Sequence, residues 1–208
     1  MACMLTGMPD GPWDPLFEDL EHQFAAQRER EEQALAGETA RAQAATLTLA
    51  DRLAALPPGS RVSIRDSSGE THTISVAATG PEWIAGENDE AQGLTIVRID
   101  AIDELRFSAA VRASTLSSPR PDPLRARMGM GFVLRALARR RAGVTLGTAR
   151  GGRLSGTLAR AGVDHADLTL HDLGASALEA RDEVTIAIRA IAWIRTRDPR
   201  SWRAILEL

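Results

Sequence analysis

The residues best placed to do chemistry in this chain are arginines. Arg135, Arg139, Arg140 and Arg141 fall within seven consecutive positions, Arg125 and Arg127 lie a few turns earlier, and Arg150, Arg153 and Arg160 follow shortly after. Guanidinium groups clustered this way can track the phosphates of a nucleic acid without reading its bases. The same run has an ordinary structural reading, because cations are favoured at the C-terminal end of a helix. Whether Arg150, Arg153 and Arg160 join the run depends on which face of their hairpin they occupy. All 25 basic residues are Arg, so catalysis through a lysine Schiff base or a P-loop lysine is excluded by composition.

Other constellations are weaker. His165 and His171 lie near Asp164, Asp167 and Asp172, but strand alternation divides such a set between two faces and no HExxH or CxxC spacing accompanies it, so no metal site is expected. His22 and His72 stand alone and read as solvent-facing. The string Gly151-Gly152-Arg153-Leu154-Ser155-Gly156 is glycine-rich without a following helix start, which suits a bent hairpin better than a nucleotide loop. No GxSxG elbow is present, and the single cysteine, Cys3, supports neither a disulfide framework nor a zinc site. No catalytic residue, cofactor or small-molecule substrate is therefore expected.

Residues 14–56 read as one long helix. Asp14-Pro15 supplies an N-cap and a first-turn proline, Glu18, Asp19 and Glu21 sit near the positive end of the dipole, and Pro57-Pro58-Gly59 stops it. Leu35, Thr39, Ala42, Thr46, Leu49, Leu53 and Leu56 recur at spacings of four and three, a seam open to a dimerising coiled coil or to packing on the rest of the chain; Gly37 could mark a kink. The period then becomes two. Val62 and Ile64, then Ile74 and Val76, flank a turn at Asp66-Ser67-Ser68-Gly69, and a second strand pair begins at Trp83-Ile84, turns over residues 86–93 and resumes over residues 94–99. Residues 114–123 read as a linker, residues 124–141 as an Arg-rich helix ended by Gly143, and Val144, Leu146, residues 154–158, Leu168, Leu170 and residues 184–188 as further strands. Trp83, Trp193 and Trp202 read as packing residues, and residues 201–208 as a short apolar tail.

Two of these regions match each other. Residues 62–80 superimpose on residues 144–162 without a gap at an offset of 82, so Ile64 meets Leu146, Gly69 meets Gly151 and Val76 meets Leu158. Near the ends the offset is 89, with Ile99, Ile102, Leu105 and Arg106 facing Ile188, Ile191, Ile194 and Arg195. A helix followed by about five short strands, twice over, is the pattern of a small curved barrel. The domains expected are a helical segment over residues 1–57, a first barrel over 58–113, a linker over 114–123, a helix plus second barrel over 124–197 and a tail over 198–208. Two separate, mostly antiparallel barrels are expected, and parallel strands with crossover helices, or one continuous sheet spanning both units, would overturn that fold.

The second unit resembles the Sm-like fold. Gly143-Val144-Thr145-Leu146, Gly151 to Leu158, Asp164 and Leu168-Thr169-Leu170 look like its first motif, and Val184 to Arg189 with Ile191 like its second. Sm-like RNA binders carry Met-Asn shortly after the Asp and close with Arg-Gly, whereas this chain has His165-Ala166-Asp167 and Arg189-Ala190. From Trp13-Asp14-Pro15-Leu16-Phe17-Glu18-Asp19-Leu20 onward, the whole chain resembles an actinobacterial family of cytoplasmic proteins without an established function, sometimes labelled Fis-type transcriptional regulators, although no helix-turn-helix is evident in this sequence. The fold class implied is α+β, a long N-terminal helix followed by two tandem Sm-like small antiparallel barrels, each preceded by a helix.

Charge divides along the chain: residues 1–56 hold 4 Arg against 10 acidic residues, and residues 116–208 hold 16 against 9. No run of 18 apolar residues and no basic-then-apolar leader is present, so a cytoplasmic protein without a membrane partner is expected. The functional expectation is a non-enzymatic interaction module, a protein-binding scaffold or regulatory adaptor that assembles with a protein partner or with itself. The alternative is a nucleic-acid-binding regulator contacting phosphates through Arg135, Arg139, Arg140, Arg141 and Arg153.

Overall fold

The structure, a computed structural model, describes residues 14–88, 93–116, 127–171 and 182–198. The chain divides after Thr46 into two units. The first contains helix α1 (Asp14–Thr46), which passes through Gly37 without a break and carries one-turn hydrogen bonds such as Gln23 Nε2 to Asp19 Oδ2 at 2.8 Å. Leu20, Phe24 and Leu35 are exposed along it, Leu35 to 65%.

The single helix expected over residues 14–56 is in fact two, because Thr48 starts a new one. Its hydroxyl accepts from the Asp51 backbone N–H while the Asp51 carboxylate accepts from the Thr48 backbone N–H, a reciprocal capping box that opens helix α2 (Leu49–Ala54). The apolar seam is divided with it. Leu53 and Leu56 are buried in the second unit, and Leu49 packs beside them.

Among its described residues the second unit is built from ten antiparallel strands: β1 (Arg61–Asp66), β2 (Thr71–Thr79), β3 (Trp83–Asn88), β4 (Gly93–Arg98), β5 (Ile102–Arg106), β6 (Gly143–Thr148), β7 (Arg153–Ala161), β8 (His165–Leu170), β9 (Asp182–Ala187) and β10 (Ile191–Thr196). They follow one order, β5-β1-β2-β3-β4-β10-β6-β7-β8-β9. Two separate barrels are therefore corrected to one continuous open sheet, since β10 lies between β4 and β6, with Ile194 opposite both Ile96 and Leu146. The physical reason is an edge: β4 carries Leu94, Thr95, Ile96 and Val97, all buried, and such a strand needs a partner on its second side.

The internal repeat holds ladder by ladder. Val62 pairs with Ile74 and Val144 with Gly156, the same register 82 residues on. The bulge between Val76 and Ala78 against β3 recurs between Leu158 and Arg160 against β8. Gly69 and Gly151 close the two hairpins at φ of 86° and 83°, a left-handed conformation that glycine adopts without steric cost. A 3-10 turn, Ile99–Ala101 or Ile188–Ala190, leads into the last strand of each repeat.

Helix α3 (Ala109–Ser114) follows β5, and helix α4 (Met130–Arg139) precedes β6. Gly143 does not end α4 but opens β6; the helix is closed by Arg140 and by Arg141, whose φ is 48°. Gly86 lies within β3 and not in a turn. Most of the expected linker, Arg125 and the tail with Trp202 lie outside the described residues. The cores interlock: Trp193 of the second repeat packs with Leu53, Ile64 and Ile84, while Trp83 of the first packs with Leu134, Leu158 and the rest of the α4 core. Among the described residues, no helix is long and apolar enough to cross a membrane.

Candidate interaction site at the seam of the two repeats

The arginines singled out by their spacing occupy three places. Arg135, in the middle of α4, donates to the Gly162 carbonyl in the β7–β8 turn at 3.2 Å. Arg139, Arg140 and Arg141 are exposed where α4 ends, and among the described residues none has an ion-pair partner. Arg153 pairs with Gly147, four ladder steps from Gly143, which is about 13 Å along the strand. It is engaged elsewhere: its guanidinium lies 5.7 Å from the Trp193 ring centre and its Nη2 meets Glu70 Oε2 at 2.7 Å.

That contact belongs to a cluster the spacing did not reveal. Trp193 is fully buried, fits against Gly147 where a Cβ would collide with the indole, and lies edge-on to His72 with ring centres 5.3 Å apart. Arg195 covers the same indole at 4.9 Å and reaches Glu70 Oε1 at 3.5 Å. One carboxylate from the β1–β2 turn of the first repeat thus bridges two guanidinium groups of the second. Thr145 and Ser155 complete the wall, their hydroxyls 3.2 Å apart, around a cavity of about 580 Å³ that Arg197 also lines.

His72, expected to face solvent, is fully buried and bonded through Nε2 to Asp66 Oδ2 at 2.9 Å. The sequence held the signal, since His72 has the same parity as Ile74 and Val76 and so lies on the inward face of β2. Asp66 is equally buried. Burial alone would raise its carboxyl, but hydrogen bonds from the Ser68 hydroxyl, His72 and the backbone N–H groups of Ser68 and Glu70 outweigh this and hold it below the usual carboxylate value. The turn that presents Glu70 is therefore pinned from beneath.

The first repeat has the matching cavity, lined by Ser63, Arg65, Thr71, Glu104 and Arg106 and only about 160 Å³. Glu104 stands where the second repeat has Trp193, 89 residues on. It bonds to Arg106 and pairs with Arg65 at 3.2 Å, and those contacts, the Arg106 hydrogen bond first, hold its carboxyl low.

A second junction holds α4. Glu82 Oε2 accepts from the Met130 backbone N–H at 2.8 Å, Trp83 Nε1 donates to the Met128 carbonyl at 2.6 Å, and Arg98 Nη1 donates to the Ile188 carbonyl at 2.9 Å. The counterparts of Glu82 and Trp83 in the second repeat are Asp164 and His165, which bond to each other at 2.8 Å beside Val163, 91% exposed. The bond to His165 holds the Asp164 carboxyl low. Asp167 accepts instead from Thr185, and His171 Nε2 meets Thr157, so these acids and histidines do not converge; Asp172 lies outside the described residues.

Comparison with protein-family models, with curated proteins and with solved structures finds no match to this chain.

Proposed function

We propose that the chain is a non-enzymatic interaction module made of two Sm-like units, and that it acts as a scaffold by adding a second copy, head to tail, at the ends of its sheet. The observation that carries this reading is the β4–β10 pairing. Each repeat has its own order, last strand beside first, and they are joined by the fourth strand of one against the last strand of the other. Among the described residues β9 and β5 have one ladder partner each, and they are the same two kinds of strand. Repeating the internal joint would set Glu104 against Ile186, Leu105 against Thr185 and Arg106 against Val184 of a neighbouring copy, as Trp193, Ile194 and Arg195 meet Val97, Ile96 and Thr95. The exposed Val163, Asp164 and His165 then stand where Glu82 and Trp83 receive α4, ready for the neighbour's α2, which lies 82 residues before α4.

Unpaired strand edges are templates for another strand, and the charges on β5 make this edge more polar than the internal joint, which favours reversible assembly. Light scattering on the full chain, and on a chain beginning at Leu49, tests the reading. Mass above the monomer in both supports assembly through the sheet; loss of assembly on removing α1 would assign it to a coiled coil instead, and monomers in both would contradict it. Thr185→Asp, at the open edge, should lower the assembled mass.

The nucleic-acid reading retains one supporting observation, the exposed Arg139, Arg140 and Arg141 at the end of α4. A salt titration of duplex DNA binding by the full chain tests it, with a slope approaching ~0.9 per neutralised phosphate. The full chain is needed because residues 116–208 alone would leave β10 without β4.

A further inference from the structure

We propose that the cavity beside Trp193 binds a small phosphomonoester, and that Glu70 occupies two of its guanidinium groups until the ligand displaces its carboxylate. The inference is independent of the head-to-tail assembly. One oxygen of the Glu70 carboxylate meets Arg153 Nη2 at 2.7 Å and the other meets Arg195 Nη2 at 3.5 Å. An oxyanion shared between two guanidinium forks is the contact a phosphate makes. Arg197 lines the same cavity, and the hydroxyls of Thr145 and Ser155, bonded to each other, leave one free proton of the kind that completes a phosphate's coordination.

Charge and size point the same way. Among the lining residues Arg153, Arg195 and Arg197 face one acid, Asp198, an excess of two positive charges that Glu70, outside the lining, offsets while it holds Arg153 and Arg195; two charges suit a monoester carrying about −1.5 to −2 at neutral pH. A volume of about 580 Å³ lies within the range of small-molecule sites, roughly 300–1,000 Å³. Trp193 is buried and offers no face for stacking; it acts as a rigid wall that fixes Arg195 and Arg153 across its ring.

The first repeat shows a version in which the carboxylate belongs to the sheet itself. Its carboxylate, Glu104, is part of strand β5 and sits between Arg65 and Arg106 over a cavity of about 160 Å³. In the second repeat the indole replaces that glutamate, and the neutralising carboxylate comes from a turn. The Glu70 backbone is secured by its N–H to Asp66 Oδ1 and its carbonyl to the Asp66 N–H. Side-chain rotation alone therefore frees Arg153 and Arg195, with no change in the hairpin.

Calorimetric titration of the full chain at low salt with adenosine monophosphate, inorganic phosphate and adenosine tests the proposal. The monophosphate should bind the wild-type chain, and Glu70→Gln should tighten it by on the order of fivefold, the upper worth of an exposed ion pair. Arg153→Gln and Arg195→Gln should each weaken binding about tenfold or more, while Glu104→Gln in the first repeat leaves it unchanged. Arg153 is largely exposed, so its variant keeps the fold even if Arg195→Gln does not; circular dichroism checks both. Equal binding of phosphate and monophosphate would identify the phosphoryl group as the whole determinant, and tighter monophosphate binding would show that the rest of the cavity is used. No binding by Glu70→Gln, equal binding of adenosine, or unchanged affinity in Arg153→Gln would overturn the proposal, as would binding of an oligonucleotide without a terminal phosphate where the monophosphate fails.

Discussion

The first repeat and the second share their ladders, bulge and hairpin glycines, yet they fill the same positions with different chemistry. Asp66 anchors the first hairpin turn from a buried site shared with His72; the second turn has Thr148, whose hydroxyl accepts from the Gly152 N–H at 2.9 Å, and Leu154 where His72 would be. Glu104 answers to Trp193, and Trp83 to His165. The backbone of each repeat is set by period-two burial and by turn residues, which both copies keep. What differs is concentrated where the copies meet, because only there does each face a different neighbour.

Removing the indole should break this comparison most severely. Trp193→Ala is expected to cost about 3–5 kcal/mol in urea unfolding, since it empties a fully buried site in the core that Leu53, Ile64 and Ile84 share. Glu104→Ala at the corresponding position should cost far less, being a partly exposed ion-paired residue. Equal losses would mean that the seam is no more critical than the outer edge.

The two turns give the next contrast. Asp66→Ala should destabilise the chain by about 3 kcal/mol, because His72 and several turn donors lose their buried acceptor, whereas Thr148→Ala should cost about 1 kcal/mol. Acid should separate them as well. The folded Asp66 carboxyl lies below its unfolded value near 4, so its contribution is complete above that pH and lost as the pH falls through the folded value. Unfolding followed between pH 6 and 2 should show the gap between wild type and Asp66→Asn narrowing over that lower range.

Gly69→Ala and Gly151→Ala sharpen the likeness rather than the difference. Both positions have positive φ, and each substitution should cost about 1–2 kcal/mol; markedly unequal values would show that the turns are not equivalent. The smallest effect belongs to Arg139, Arg140 and Arg141. Changing all three to Gln should leave stability within about 0.5 kcal/mol, so any change in a DNA salt titration would report binding and not folding.

Much of the second unit was legible in the sequence. The offsets of 82 and 89 recur in the ladders, and Val62, Ile64, Val144 and Leu146 lie inward as their alternation required. The capping box at Thr48 was also written in the chain, but a continuous apolar seam from Leu35 to Leu56 masked it. The β4–β10 joint was not legible, because hydrophobic period places a strand in a sheet without naming its neighbour. The crossing of Glu70 to Arg153 and Arg195 was hidden for the same reason: an ion pair joining residues so far apart in sequence leaves no local signal.

Head-to-tail assembly requires the internal joint to be a template that the two outer edges can repeat. The most direct measurement is oxidative cross-linking of a chain carrying Cys3→Ser, Arg106→Cys and Val184→Cys. These two cysteines occupy the positions that Arg195 and Thr95 hold in the β4–β10 ladder, and facing residues of an antiparallel pair come within disulfide reach. A ladder of covalent multimers is expected on a non-reducing gel, with neither single-cysteine chain extending beyond a dimer. Monomers alone from the double-cysteine chain, at concentrations where light scattering detects assembly, would contradict it.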